Sequence, residues 1–238
     1  MSLLAAPRTT ATPDAISRLR EIEASAPHTD GVACFARFYR ELTAALRIEL
    51  ALCFLADAPF CERLDAILAN LFFDTLEASV RHAASAPAAW RPLLTARSRR
   101  GVAPMQFALA GMNAHVNRDL PLALVAASEE VEVELRRGSP QHVDFERVSG
   151  LLVRVEAHVR ASRVRRFDRI DDVVAMWDLR RAREAAWTNA ETLWSLRSDA
   201  DLRGEFARVL DRMVGFAARG LLVPVDTALS RLARSLSS

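Results

Sequence analysis

Ala103-Pro104-Met105-Gln106-Phe107-Ala108-Leu109-Ala110-Gly111-Met112-Asn113-Ala114-His115-Val116-Asn117-Arg118-Asp119-Leu120-Pro121 is the stretch whose reading decides the fold. Phe107, Leu109, Met112, Val116, Leu120, Leu122 and Leu124 leave this helix apolar nearly all round. Such a helix sits at the centre of a bundle, because no face of it gains from water. Within it lies one polar patch, Asn113 to Asp119. His115 and Asp119 are four residues apart and share a helix face. Ionisable groups are seldom buried without a partner, so this patch needs an explanation. Pro121 has no N–H to donate, so the carbonyl of Asn117 loses its helical partner. It also disfavours helical Leu120, so a kink or helix end is expected there.

Outward from this stretch the chain is read as helix after helix. Thr12-Pro13-Asp14 opens a first helix carrying Ile16, Leu19 and Ile22, with hydroxyl cap and early proline. A second runs over about residues 30–56, with Phe35, Phe38, Leu42 and Leu46 on one side. A third covers about 60–84 with Leu64, Ile67, Leu68 and Leu71; residues 87–104 form a short helix and a loop. Residues 128–138 alternate Glu and Val, which fits a strand or a short helix ending at Gly138. Ser139-Pro140 opens a helix to about 166, another covers 171–196, and 201–218 and 222–236 close the chain. Residues 1–11 read as a disordered tail. Residues 12–238 read as a single all-α domain, an antiparallel bundle of about eight helices.

Composition supports this and removes several function classes. Half of the 238 residues are hydrophobic, enough for a sizeable core, and Gly is scarce. All 32 basic residues are arginine, so neither a Schiff base nor a lysine general base can form. A net charge of +2 argues against a nucleic-acid or membrane surface. Arg97, Arg99 and Arg100 read as a solvated loop, and Arg160, Arg163, Arg165 and Arg166 as a charged helix end. Cys34, Cys53 and Cys61 show no ligand spacing and read as reduced small hydrophobes. With no leader-like or membrane-spanning segment, a cytoplasmic location is expected.

Asp144 continues the stripe Val148, Leu151, Leu152 and Val155, so it points inward and needs a partner. Asn70 and Asp74 share a face of the third helix with Glu77 and Arg81, a face that reads equally well as solvated. Three readings of the patch stay open. His115 is a general acid or base set by Asp119 or Asp144 in an apolar pocket. Alternatively, His115 and Asp119, with Asp144 or His158, hold a metal such as zinc. In the third, the patch is a satisfied buried network that sets helix register. Trp177, Arg180, Arg183, Trp187 and Trp194 read as a face packed on neighbouring helices, and Asp171 as a helix cap.

Four blocks resemble the DUF5995 family, a domain of unknown function. They are Ala69-Asn70-Leu71-Phe72-Phe73-Asp74, Gly111 to Leu120, Asp144-Phe145, and the helix from Trp177 to Trp187 with its Arg183-x-x-Ala186-Trp187. The second block is the specific one. Ser149 departs from the family pattern, which usually has Asn there, and the family does not require Pro121. The resemblance implies that Asn70, Asp74, Asn113, His115, Asn117, Asp119 and Asp144 converge on one site; it implies no reaction.

The expectation is a cofactor-independent small-molecule enzyme of isomerase, lyase or cyclase type in specialised metabolism. His115, Asp119 and Asp144 are its catalytic candidates, with Asn70, Asp74, Asn113 and Asn117 binding an apolar or carbonyl-containing substrate. No metal and no cofactor is expected, nor a nucleic-acid or membrane partner; a homodimer is compatible with the sequence. The alternatives are a metal-dependent hydrolase and a non-catalytic ligand-binding bundle. Asp144 and His115 are expected around one cavity, joined directly or through Asn113 or a water.

Overall fold

Four of the helix starts are set by a short polar side chain. The computed structural model describes residues 12–81, 83–164 and 178–224. The α-helices are α1 (Thr12–Ala24), α2 (Gly31–Leu50), α3 (Ala58–Arg81), α4 (Arg91–Ala96), α5 (Pro104–Ala114), α6 (Leu120–Glu130), α7 (Pro140–Val164), α8 (Leu179–Ser195) and α9 (Ala200–Leu221). Asp30 caps α2 through bonds from the Val32 and Ala33 N–H groups, Ser139 caps α7, Asp178 α8 and Asp199 α9. Each accepts from N–H groups that a helix start leaves without intrahelical partners. Arg97 Nε binds the Asp30 carboxylate at 2.6 Å. That arginine, read as part of a solvated loop, ties the loop to the start of α2.

A π-helical turn, His115–Asp119, joins α5 to α6 into one rod, giving eight rods and no strand among the described residues. The expected break at Pro121 is therefore a widening rather than an end. Without a proline N–H for the Asn117 carbonyl, the chain shifts its register, and Leu120 N–H bonds to the His115 carbonyl five residues back. Every residue from Met105 to Ala114 is buried. The rod lies against α2 and α9 through α5, and against α3 and α8 through α6.

Gly111 lets α2 and the rod approach. A Cβ there would lie 2.2 Å from Phe35 Cδ2. Phe35 is fully buried and meets Phe72 edge-on at 4.9 Å and Trp90 at 5.2 Å. Residues 131–138 are neither strand nor helix. Their alternation is still physical: Val131, Val133 and Leu135 turn inward and Glu132 and Glu134 outward, but the described residues hold no second strand to complete a ladder. The expected N-terminal tail, the Asp171 cap, Trp177 and the helix over 222–236 fall largely or wholly outside the described residues.

Candidate functional site

The π turn divides the polar patch between two sides of the rod. Asp119, fully buried, accepts from Trp90 Nε1 at 2.9 Å with one oxygen and from Arg118 at 2.7 Å with the other. Arg118 Nε lies 3.6 Å from Asp211 on α9, which accepts the Ala88 and Ala89 N–H groups of the segment before α4. Gly215 permits this docking, since a Cβ on it would lie 2.3 Å from the Ala88 carbonyl oxygen. Asn113 donates to the Val214 carbonyl at 3.0 Å and receives a bond from Asn117 at 3.0 Å. Asn113, Asn117, Arg118 and Asp119 thus tie the rod to α9 and to the start of α4.

His115 faces the other way, into the wall of a cavity of about 380 Å³ between α2, α3, the rod, α7 and α8. Its ring lies 4.4 Å from that of Tyr39 and 5.8 Å from Phe35. It is 3 % exposed, and neither nitrogen has a hydrogen-bond partner. Nδ1 stands 3.8 Å from Asp119 Oδ2, beyond hydrogen-bond reach though next to the charge.

Leucines and other apolar groups dominate the wall, among them Leu42, Leu64, Leu68, Met112 and Leu120, with Tyr39, Thr43, Cys61, Asp65, His115 and Arg183 as polar points. Arg47 and Glu62, both exposed, lie toward the opening. Burial, then the Asp65 and Asp119 charges, push the Tyr39 phenol well above its ordinary range, so it stays an O–H donor. Burial first, then the Asp144 and Asp57 carboxylates, push the Cys61 thiol up to about 12. Cys61 therefore stays a neutral thiol and not a nucleophile.

Asp144 is inward and fully buried, but its bonds go elsewhere than expected. Oδ2 accepts the Asp57 N–H at 2.7 Å and Oδ1 accepts from Arg147 at 3.1 Å. Asp57 also receives Gln141 Nε2 at 2.6 Å. The expected junction of Asp144 with His115 or Asn113 is thus replaced by a clamp between α7 and the loop before α3. The reason is local: a capping-type backbone N–H comes closer than the imidazole. Asn70 is buried and Asp74 exposed on α3, and neither belongs to the cavity wall. Of the seven residues expected to converge, only His115 lines the cavity. His158 is exposed on α7, and among the described residues no three His, Cys, Asp or Glu side chains gather to hold a metal.

A second polar point lies on a face that the sequence favours as interhelical packing over substrate stacking. Arg183, 6 % exposed on α8, donates from Nε to Ser149 Oγ at 2.8 Å and lies over the Phe145 ring at 4.4 Å. Ser149 Oγ in turn donates to the Phe145 carbonyl at 2.7 Å. Trp187, four residues beyond Arg183, meets Phe145 at 4.9 Å and His142 at 4.7 Å. Burial lowers the Arg183 pKa to about 10, which leaves the guanidinium charged at neutral pH. The available signal was an arginine one turn before a tryptophan on the same helix.

Fold and site define a helical bundle built round one polar-centred rod, with an apolar cavity on one side of it. The chain belongs to DUF5995, a family of unknown function, whose model matches residues 12–224. Neither a comparison with curated proteins nor one with solved structures finds a match. The first three blocks that carry the likeness lie on α3, the rod and α7, and the fourth lies on α8 from Leu179 onward. No helix among the described residues is long and apolar enough to cross a membrane.

Proposed function

We propose that this protein is a small-molecule enzyme that binds a largely apolar, carbonyl-containing substrate in the cavity and moves a proton with His115. The observation that carries the reading is the buried imidazole in the cavity wall with no hydrogen-bond partner on either nitrogen. Buried polar atoms in native proteins are nearly always satisfied, so an unpartnered imidazole on a residue that lines a cavity points to a ligand that completes it. The cavity volume sits at the lower end of the roughly 300–1,000 Å³ typical of small-molecule sites, and its lining is mainly apolar.

In this mechanism the Asp119 charge beside Nδ1 favours the tautomer protonated there, leaving the Nε2 lone pair as the base. Nε2 takes a proton from carbon next to the substrate carbonyl. Tyr39, held as O–H, donates to the oxygen on which charge develops. Return of the proton at another carbon completes an isomerisation; departure of a leaving group instead completes an elimination. Asp119 positions the imidazole and does not itself exchange a proton, since both its oxygens are engaged.

The test is to incubate the purified protein with a mixed small-molecule extract in D2O and follow products by mass spectrometry. The wild-type chain should deplete a compound and form either an isomer that carries deuterium on carbon or an elimination product lighter by the proton and the leaving group. His115→Gln should form none. Deuterium incorporation equal in both proteins would refute the role of His115. Retention of an unchanged compound by both would favour the non-catalytic binding bundle, the reading that the apolar lining alone supports.

A further inference from the structure

We propose that the molecule held in the cavity is a carboxylic acid, its apolar body against the leucines and its carboxylate on the guanidinium of Arg183, an inference that rests on the cavity being the binding site. Arg183 is a buried cation in an apolar wall, and among the described residues its one hydrogen bond goes to a neutral hydroxyl. No carboxylate among the described residues comes within ion-pair distance of it. Arginines buried to this degree are ordinarily paired with an anion, because an uncompensated buried charge is strongly destabilising.

The geometry of the guanidinium matches one ligand chemistry. Ser149 occupies the Nε–H, and the Phe145 ring covers one face. This leaves the edge formed by the two terminal nitrogens, which presents parallel N–H groups to a planar two-oxygen acceptor. A carboxylate fits that edge and brings one charge to neutralise one charge. A phosphate would bring a further charge into a wall that already contains Asp65, and near an opening that carries Glu62. The Ser149 bond holds the fork in place, so the binding edge is set before the ligand arrives. Arg47, the other cation of the wall, is exposed and belongs to the opening.

Matched acid and alcohol probes separate the carboxylate from the apolar body. Decanoate with 1-decanol, and 4-phenylbutyrate with 4-phenylbutanol, are titrated into the full chain by calorimetry at pH 7.5. The wild-type chain is expected to bind at least one acid ten times or more as tightly as its alcohol. Arg183→Met should lose that preference, with alcohol binding unchanged within about twofold. If Arg183→Met does not give the wild-type circular dichroism spectrum, Arg183→Gln, whose amide can still reach Ser149, is read in the same way. Equal binding of acid and alcohol by the wild-type chain would overturn the acid proposal and leave the cavity reading standing. An acid preference that survives removal of Arg183 would overturn it equally. No binding of any probe would overturn the cavity reading, and this inference with it.

Discussion

Replacing Asp119 with alanine removes a fully buried carboxylate whose two oxygens are both committed to neighbours. Trp90 Nε1 and Arg118 each lose a bond, of 2.9 and 2.7 Å. Trp90 is fully buried, so its indole N–H would be left without water or partner, which costs about 1–3 kcal/mol. Arg118 is partly exposed and has Asp211 at 3.6 Å, so its loss falls toward the lower end of the roughly 1.5–3 kcal/mol of a charged hydrogen bond. Together these give about 3–5 kcal/mol, the range for breaking a buried pair from one side. Against a typical stability of about 5–15 kcal/mol, the variant should fold and be much weakened. Urea unfolding followed by circular dichroism measures it, with an unchanged slope showing that the native state stays compact. Trp90→Phe and the double variant complete a cycle, in which a coupling of about 1–2 kcal/mol is expected between the two groups. A loss below about 1 kcal/mol for Asp119→Ala, or additive effects in the cycle, would refute the view that this network holds the rod in register.

Gly111→Ala should destabilise by about 1–3 kcal/mol, because the added Cβ would enter the Phe35 ring; thermal melting should fall by several degrees, and an unchanged melt would contradict the close approach. Asp144→Ala should lose about 2–4 kcal/mol through the freed Asp57 N–H and the Arg147 bond, and calorimetric binding of any cavity ligand to the folded variant should stay within a few-fold of wild type. Cys61 should resist alkylation: with a pKa of about 12, thiolate at pH 9 is roughly one part in a thousand, and mass spectrometry of a pH series should show modification rising only above about pH 11. In linkage terms the native thiol keeps its proton while the unfolded one, with an ordinary value of 9.0, loses it. The stabilising contribution is whole below pH 9 and fades between 9 and 12; a melting temperature insensitive to Cys61→Ala across that window would deny it.

The helices were legible from the chain because their signals are local. Apolar spacing, the helix start at Ser139-Pro140, and an all-round apolar stretch at Phe107 to Leu124 depend on neighbours within a turn or two. Burial of His115, Asp119 and Asp144 was legible for the same reason, since a helix face is defined relative to its own axis. The partners were not. Asn113 finds its acceptor 101 residues away at Val214, and Asp144 its donor 87 residues away at Asp57. Nothing in a one-dimensional pattern says which far element arrives first at a polar group. The π turn compounds this: it re-phases the rod at the patch itself, so that His115 and Asp119, four apart and nominally on one face, address different neighbours. Arg183 shows the reverse case, an arginine that periodicity places against other helices and that only the meeting of α7 and α8 turns into a buried cation in a cavity wall. By itself the sequence determined which residues leave water; the tertiary structure alone decided what each of them meets there, because that choice is made by packing between segments far apart in the chain.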